Sequence, residues 1–191
     1  MKVGLFFGSF NPVHIGHMVL ANYMVEYTDL ERIWFVVSPH NPLKQKHSLL
    51  DEKQRLHIVN LAIGDYLKLK SSNIEFKLPQ PSYTINTLTY LKEKFPKNEF
   101  VLIMGSDNLE SFHKWKNFEE ILKHYELYVY PRHDTDGGKL KTNPKVKLIN
   151  APQMEISSTA IRQAIKDKKD VRYFVPEEAW NYLKEMHFYE K

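Results

Sequence analysis

Along this chain the spacing of apolar positions switches repeatedly between two periods, and each switch marks an element. Residues 2–7 (KVGLFF) form a short apolar run that reads as a strand, and from Ile15 the spacing becomes helical, with Ile15, Met18, Val19 and Val25 on one face. Residues 32–37 are again strand-like, rich in β-branched and aromatic side chains, and 51–63 read as a helix with Asp51 as N-cap. A short strand is expected at 75–78. A helix follows at 83–95, with Ile85, Leu88, Leu91 and Phe95 near one face and Pro96 ending it. The near-continuous apolar run EFVLIM at 99–104 has the pattern of a central parallel strand, buried on both faces. Beyond it the pattern predicts a helix at 115–124, strands at 127–130 and 145–149, a helix starting at 157–165, and a last helix opened by Pro176. The polar segment 132–143, with Gly137 and Gly138, reads as a mobile loop.

Strands alternating with helices specify an α/β fold, a Rossmann-like doubly wound parallel sheet flanked by helices. A chain of 191 residues suits one domain, 1–191, whose last part, 156–191, is helical. Ligands in such sheets lie at the carboxyl ends of the strands. That rule directs attention to the loops after Phe7, Val37, Met104 and Ile149.

Composition narrows the class of protein. At 42% hydrophobic and 13% aromatic the chain can bury a core. No apolar run approaches the roughly 20 residues that span a bilayer, the amino terminus lacks a secretory pattern, and there is no cysteine. A cytoplasmic enzyme is expected, with no membrane partner. The net charge of +4 suits anionic partners, either nucleic acid or small phosphorylated substrates. Lys139, Lys141, Lys145 and Lys147 form the densest basic run but have no interleaved aromatics, so they read as a solvated face and not as a nucleic-acid surface.

The sharpest chemical signal is GSFNPVHIGH at 8–17. Gly8 permits a tight exit from the first strand and close approach of a ligand to the backbone, while Ser9 and Phe10 offer amides. His14 and His17 stand three apart at a helix start, where unpaired amides and the helix dipole favour an anion, and Gly16 leaves room between them. The arrangement points to a nucleoside triphosphate and to stabilisation of charge on a phosphoryl group. Two histidines without a third ligand make a poor zinc site, so no protein-built metal centre is expected. Neither a P-loop nor a G-x-G-x-x-G follows the first strand.

A second signal, ISSTAIR at 156–162, puts a serine N-cap, a helix start, the Thr159 hydroxyl and the Arg162 guanidinium together. Ile156, Ser157, Ser158, Thr159 and Arg162 are thus candidates for holding β- and γ-phosphate oxygens.

The two motifs together resemble those of the HxGH nucleotidyltransferase superfamily, which opens with G-[ST]-F-[DN]-P-x-H-x-G-H and closes its triphosphate site with I-S-S-T-x-[IV]-R. The resemblance covers nearly the whole chain and implies transfer of a nucleoside monophosphate to a phosphate acceptor, with magnesium accompanying ATP. PSYTINTL at 81–88 and MGSDNLESFHKW at 104–115 are similar to the acceptor segments of the nicotinate-nucleotide adenylyltransferase family. That resemblance implies nicotinate mononucleotide as acceptor, with Tyr83, Thr84 and Trp115 near the pyridine ring and Gly105 and Asp107 at a ribose. Their chemistry agrees: Thr84 offers donors to a carboxylate, Asp107 accepts ribose hydroxyls, and Trp115 stacks on a pyridinium. SPHNPLK at 38–44 resembles the family's proline-rich loop and makes Lys44 the candidate cation for substrate phosphate, and YPR at 130–132 falls where its adenine-side loop lies.

Three positions depart from the family pattern. Asn11 and Asn86 replace commoner aspartates, and Lys116 replaces a tyrosine, which bears on how a nicotinate carboxylate is gripped. Asn11 has no role readable from the sequence. Nicotinamide mononucleotide and phosphopantetheine are the alternative acceptors. The HIGH spelling shared with aminoacyl-tRNA synthetases lacks its KMSKS partner, and a non-catalytic nucleic-acid module would leave the paired phosphate motifs without a purpose.

Overall fold

The computed structural model describes residues 1–39 and 49–191. Its chain order is β1 (Lys2–Gly8), α1 (Ile15–Tyr27), β2 (Arg32–Val37), α2 (Glu52–Ile63), β3 (Leu69–Ser72), α3 (Thr84–Lys94), β4 (Glu99–Gly105), α4 (Ser106–Glu110), α5 (Phe118–His124), β5 (Glu126–Tyr130), β6 (Val146–Leu148), α6 (Ser158–Lys166) and α7 (Glu177–Glu185). The strands form one parallel sheet in the order β3-β2-β1-β4-β5-β6. This is the doubly wound order expected from the alternation, with its crevice at the carboxyl ends of β1 and β4.

Side-chain alternation along the strands divides the core into two layers. In β4, Val101 and Ile103 face one layer with Phe6, Ile33 and Phe35, covered by α1, α2, α6 and α7. Phe100, Leu102 and Met104 face the other with Leu5, Trp34 and Val129, covered by α3, α4 and α5. The last two helices therefore return to the face that holds α1. Tyr182 of α7 donates to Gln54 Oε1 of α2 at 2.7 Å and packs its ring on His57 at 4.6 Å. That return brings the carboxyl-terminal part of the chain beside the first loop.

Local expectations fail where tertiary contacts decide. Residues 75–78 are not a strand: Ile74–Lys77 is a 3₁₀ turn whose Glu75 is buried against hydroxyls. The strand of this region is Leu69–Ser72, a half-polar tetrapeptide (LKSS) held by pairing with Ile33, Trp34, Phe35 and Val36. The helix expected at 115–124 begins only at Phe118, because Trp115 ends a 3₁₀ turn and Asn117 at φ 54° redirects the chain. Residues 132–143 hold a 3₁₀ turn, Gly138–Thr142, entered through Gly137 and Gly138 at φ +88° and +62°. An Asp136–Lys141 ion pair closes that turn.

Candidate active site

The loop leaving β1 is built around Phe10. Its ring is buried against Phe6, Phe35 and His17, with centroid separations of 5.6, 5.3 and 5.2 Å. A Cβ on Gly8 would lie 2.8 Å from that ring, so glycine here makes room for the phenylalanine. Phe10 itself takes φ 44° and its side chain is core.

Beyond this loop His14 is the N-cap of α1 in extended conformation. Its amide donates to His17 Nδ1 at 3.2 Å, and the two imidazoles lie 3.7 Å apart at 30°. With Nδ1 accepting, a neutral His17 carries its proton on Nε2. Gly16 makes room for the His14 ring, which a Cβ would meet at 3.1 Å. His14 is buried, and burial, reinforced by the Arg132 guanidinium, pushes its pKa down to about 4. It is therefore a neutral imidazole at pH 7.

Both histidines line a cleft of about 390 Å³ at the carboxyl ends of the strands. Gly16, Asp107, Ile156 and Ser157 line it too, together with Tyr130, Arg132, His133 and Glu155. Asp107 sits in the first turn of α4, half exposed, 4.0 Å from Arg132 Nε. A Cβ on Gly105 would run into the Asp107 carboxylate and Arg132, so glycine there keeps that pair together. His133 Nε2 and Glu155 Oε1 lie 2.6 Å apart, linking the segments that follow β5 and β6.

The second motif meets the first through two contacts. Ser158 Oγ donates to the Pro12 carbonyl at 2.8 Å, and Arg162 Nη1 donates to the Asn11 carbonyl at 2.7 Å. Within the second motif, Ser157 caps α6 by accepting from the Ala160 amide at 3.1 Å, and Arg162 Nη2 donates to Thr159 Oγ1 at 3.2 Å. The Ser158 hydroxyl is thus a tie between the motifs. Asn11 is buried at their junction, its Oδ1 accepting from Tyr189 Oη at 2.6 Å and the Leu50 amide at 3.2 Å.

Two buried polar residues give these loops their shape, and the sequence pattern did not reveal either. Arg55 is 0% exposed and its guanidinium donates to four carbonyls: Leu50 (2.8 Å), Ser9 (2.6 Å), Ser38 (2.8 Å) and Pro39 (2.8 Å). It binds the segments after β1 and β2 to the start of α2. Glu75 accepts from Thr87 Oγ1 at 2.8 Å and Ser82 Oγ at 3.2 Å, and burial raises its pKa. It fixes the segment that leads into α3. The only sequence hint was a charged residue at an apolar-phase position of a helix, for Arg55, or of an expected strand, for Glu75.

Of the acceptor candidates Asp107 lines the cleft, while Tyr83, Thr84, Trp115 and Lys116 are not part of its lining. Tyr83 is the N-cap of α3 and Thr84 its first residue, so the helix start presents amides there. Lys116 Nζ lies 4.4 Å from the Tyr83 ring centroid, joining the two acceptor segments. Trp115 packs on Phe112 at 5.0 Å. Lys44 lies outside the described residues.

A family model described as cytidylyltransferase-like matches residues 5–164. A protein of Flavobacterium psychrophilum named "Probable nicotinate-nucleotide adenylyltransferase" is 56% identical over 100% of both chains. One of the same name from Bacteroides thetaiotaomicron is 47% identical, covering 97% of this chain and 92% of that one. The chain belongs to the nicotinate-nucleotide adenylyltransferase family. The same fold is seen in Plasmodium falciparum nicotinic acid mononucleotide adenylyltransferase complexed with NaAD, with TM-score 0.81 at 21% identity over 99% of this chain and 97% of that one.

In this adenylyltransferase-family chain the two motifs at 8–17 and 156–162 lie near opposite ends of the sequence and meet at one junction. Of the residues singled out in sequence, His14, His17, Gly16, Asp107, Ile156 and Ser157 face the cleft. Ser9 turns its carbonyl to Arg55, and Ser158, Thr159 and Arg162 are engaged at the junction beside the cleft.

Proposed function

We propose that the protein transfers the adenylyl group of ATP to nicotinate mononucleotide, giving nicotinate adenine dinucleotide and pyrophosphate, a step of NAD biosynthesis. The observation that carries this reading is the junction of the two phosphate motifs, where Arg162 and Ser158 bond to the backbone of the loop that ends in His14. The relatives' names supply the acceptor.

In this reading the 5′-phosphate of the acceptor attacks the α-phosphorus of ATP in line. A new P–O bond forms, the bond to the bridging oxygen breaks, and pyrophosphate leaves with its electron pair. Positioning and charge stabilisation suffice, without a covalent enzyme intermediate. His17, through Nε2–H, and neutral His14 donate to the α-phosphate oxygens as charge builds there. Arg162, Thr159 and the α6 amides hold the β- and γ-phosphates. Asp107 takes a ribose, and Tyr83, Thr84, Trp115 and Lys116 take the pyridine carboxylate end.

Magnesium enters with ATP as part of the substrate. Among the described residues no three or more histidines, aspartates or glutamates cluster as metal ligands, so phosphate oxygens and water would supply most of its coordination. The chain acts as one domain, with residues 156–191 completing the ATP site. Its substrates are small, charged and water-soluble, which suits a cytoplasmic site of action without membrane partners. No helix among the described residues is long and apolar enough to cross a membrane.

The deciding experiment supplies magnesium and ATP with nicotinate mononucleotide, nicotinamide mononucleotide or phosphopantetheine in turn and follows pyrophosphate release. Fastest turnover with nicotinate mononucleotide is expected. Equal or faster turnover with either other acceptor would overturn the assignment.

A further inference from the structure

The carboxyl-terminal tail reaches the phosphate motifs through one side chain. Tyr189 Oη donates to Asn11 Oδ1 at 2.6 Å, and the Asn11 carbonyl in turn accepts from Arg162 at 2.7 Å. The Leu50 amide is a second donor to the same Oδ1, so the orientation of Asn11 is set from two sides.

The tail is shaped for this contact. Tyr189 and His187 adopt φ +65° and +52°, a left-handed backbone that a bulky side chain takes only when its surroundings impose it. Glu190 pairs with Lys184 and His187, each at 3.0 Å, folding the tail back on α7. The Phe188 amide donates to the Leu183 carbonyl at 3.1 Å. Burial keeps the Tyr189 phenol protonated, so it remains a donor.

We propose that Tyr189 is a positioning residue for the triphosphate site, acting through Asn11 on the Arg162 guanidinium. The inference rests on the reading of Arg162 as a phosphate ligand. It gives Asn11 a role, and it makes the last turn of the chain part of ATP binding.

Calorimetric titration with magnesium-ATP, without acceptor, tests it on the full-length protein and on Tyr189→Phe, Asn11→Leu and Asn11→Asp. Tyr189→Phe and Asn11→Leu should each weaken ATP binding roughly three- to tenfold, as expected for one lost hydrogen bond. The double variant should be no weaker than Asn11→Leu alone. Asn11→Asp, whose carboxylate still accepts both donors, should bind ATP more tightly than Asn11→Leu. In turnover, Tyr189→Phe should raise KM for ATP and leave kcat and KM for the acceptor in place. Wild-type ATP affinity in Tyr189→Phe, or equal weakening toward ATP and acceptor, overturns the proposal. Because ATP affinity is read without acceptor, a wrong acceptor assignment leaves this test intact.

Discussion

The imidazoles of His14 and His17 lie 3.7 Å apart, and the His14 amide donates to His17 Nδ1 at 3.2 Å. The hydrogen bond makes the two histidines unequal. His17 is oriented by the backbone through Nδ1, while His14 is buried and neutral.

Replacing His17 by alanine should lower kcat by more than about tenfold, the cost of losing one donor to a charged transition state. The ring also touches Phe6 and Phe10, so a thermal melt should accompany the kinetics. Unchanged turnover in a folded variant would remove His17 from the chemistry.

His14 gives stability a pH dependence of defined sign. Its folded pKa of about 4 lies below the ordinary 6.5, so the unfolded chain binds the proton first. The native state should lose up to roughly 3 kcal/mol as pH falls from 6.5 toward 4, at about 1.4 kcal/mol per pH unit. Urea melts of wild type and His14→Gln over that window should show the steeper fall in the wild type. Parallel curves would contradict this account.

Arg55→Met should destabilise the fold by about 3 kcal/mol or more, since it strands four carbonyls that now share one buried guanidinium. Arg55→Lys cannot reproduce the fork and should recover only part of the loss. Equilibrium denaturation measures both. A change under about 0.5 kcal/mol, the level of an ordinary surface substitution, would show that the guanidinium does not hold the loops.

Glu75→Ala should act on the acceptor side alone. It removes the acceptor for Ser82, just ahead of α3, and Thr87, within it, so KM for the mononucleotide should rise roughly three- to tenfold with KM for ATP steady. Steady-state kinetics with each substrate varied in turn decides it. A rise confined to ATP would mean that Glu75 serves the other end of the site.

Lys116→Met should narrow the preference for nicotinate over nicotinamide mononucleotide by roughly fivefold, the effect of one exposed charge on a carboxylate. The Tyr83 ring beside it stays in place, so turnover with the amide should change little. Comparing kcat/KM for the two acceptors reads this directly, and an unchanged ratio would discard Lys116 as a specificity residue.

Most of the architecture was legible in sequence because it follows from period alone. EFVLIM is buried on both faces wherever it is placed in a doubly wound sheet, and Ser157 caps α6 through a bond to Ala160, three residues away. LKSS was not legible, since its strand exists by virtue of pairing with β2. The same holds for the break at Asn117, where a left-handed residue ends the path of the preceding turn.

The sequence by itself determined which residues are candidates for the phosphate chemistry: GSFNPVHIGH and ISSTAIR were readable as helix starts with donors. Only the tertiary structure decided that Gly8 serves Phe10, that His14 is neutral, and that Asn11 joins Arg162 to Tyr189. The physical reason is range. Caps and periodicity act over three or four residues, whereas burial, desolvation and hydrogen bonds between residues 151 and 178 positions apart exist only after the chain has closed on itself.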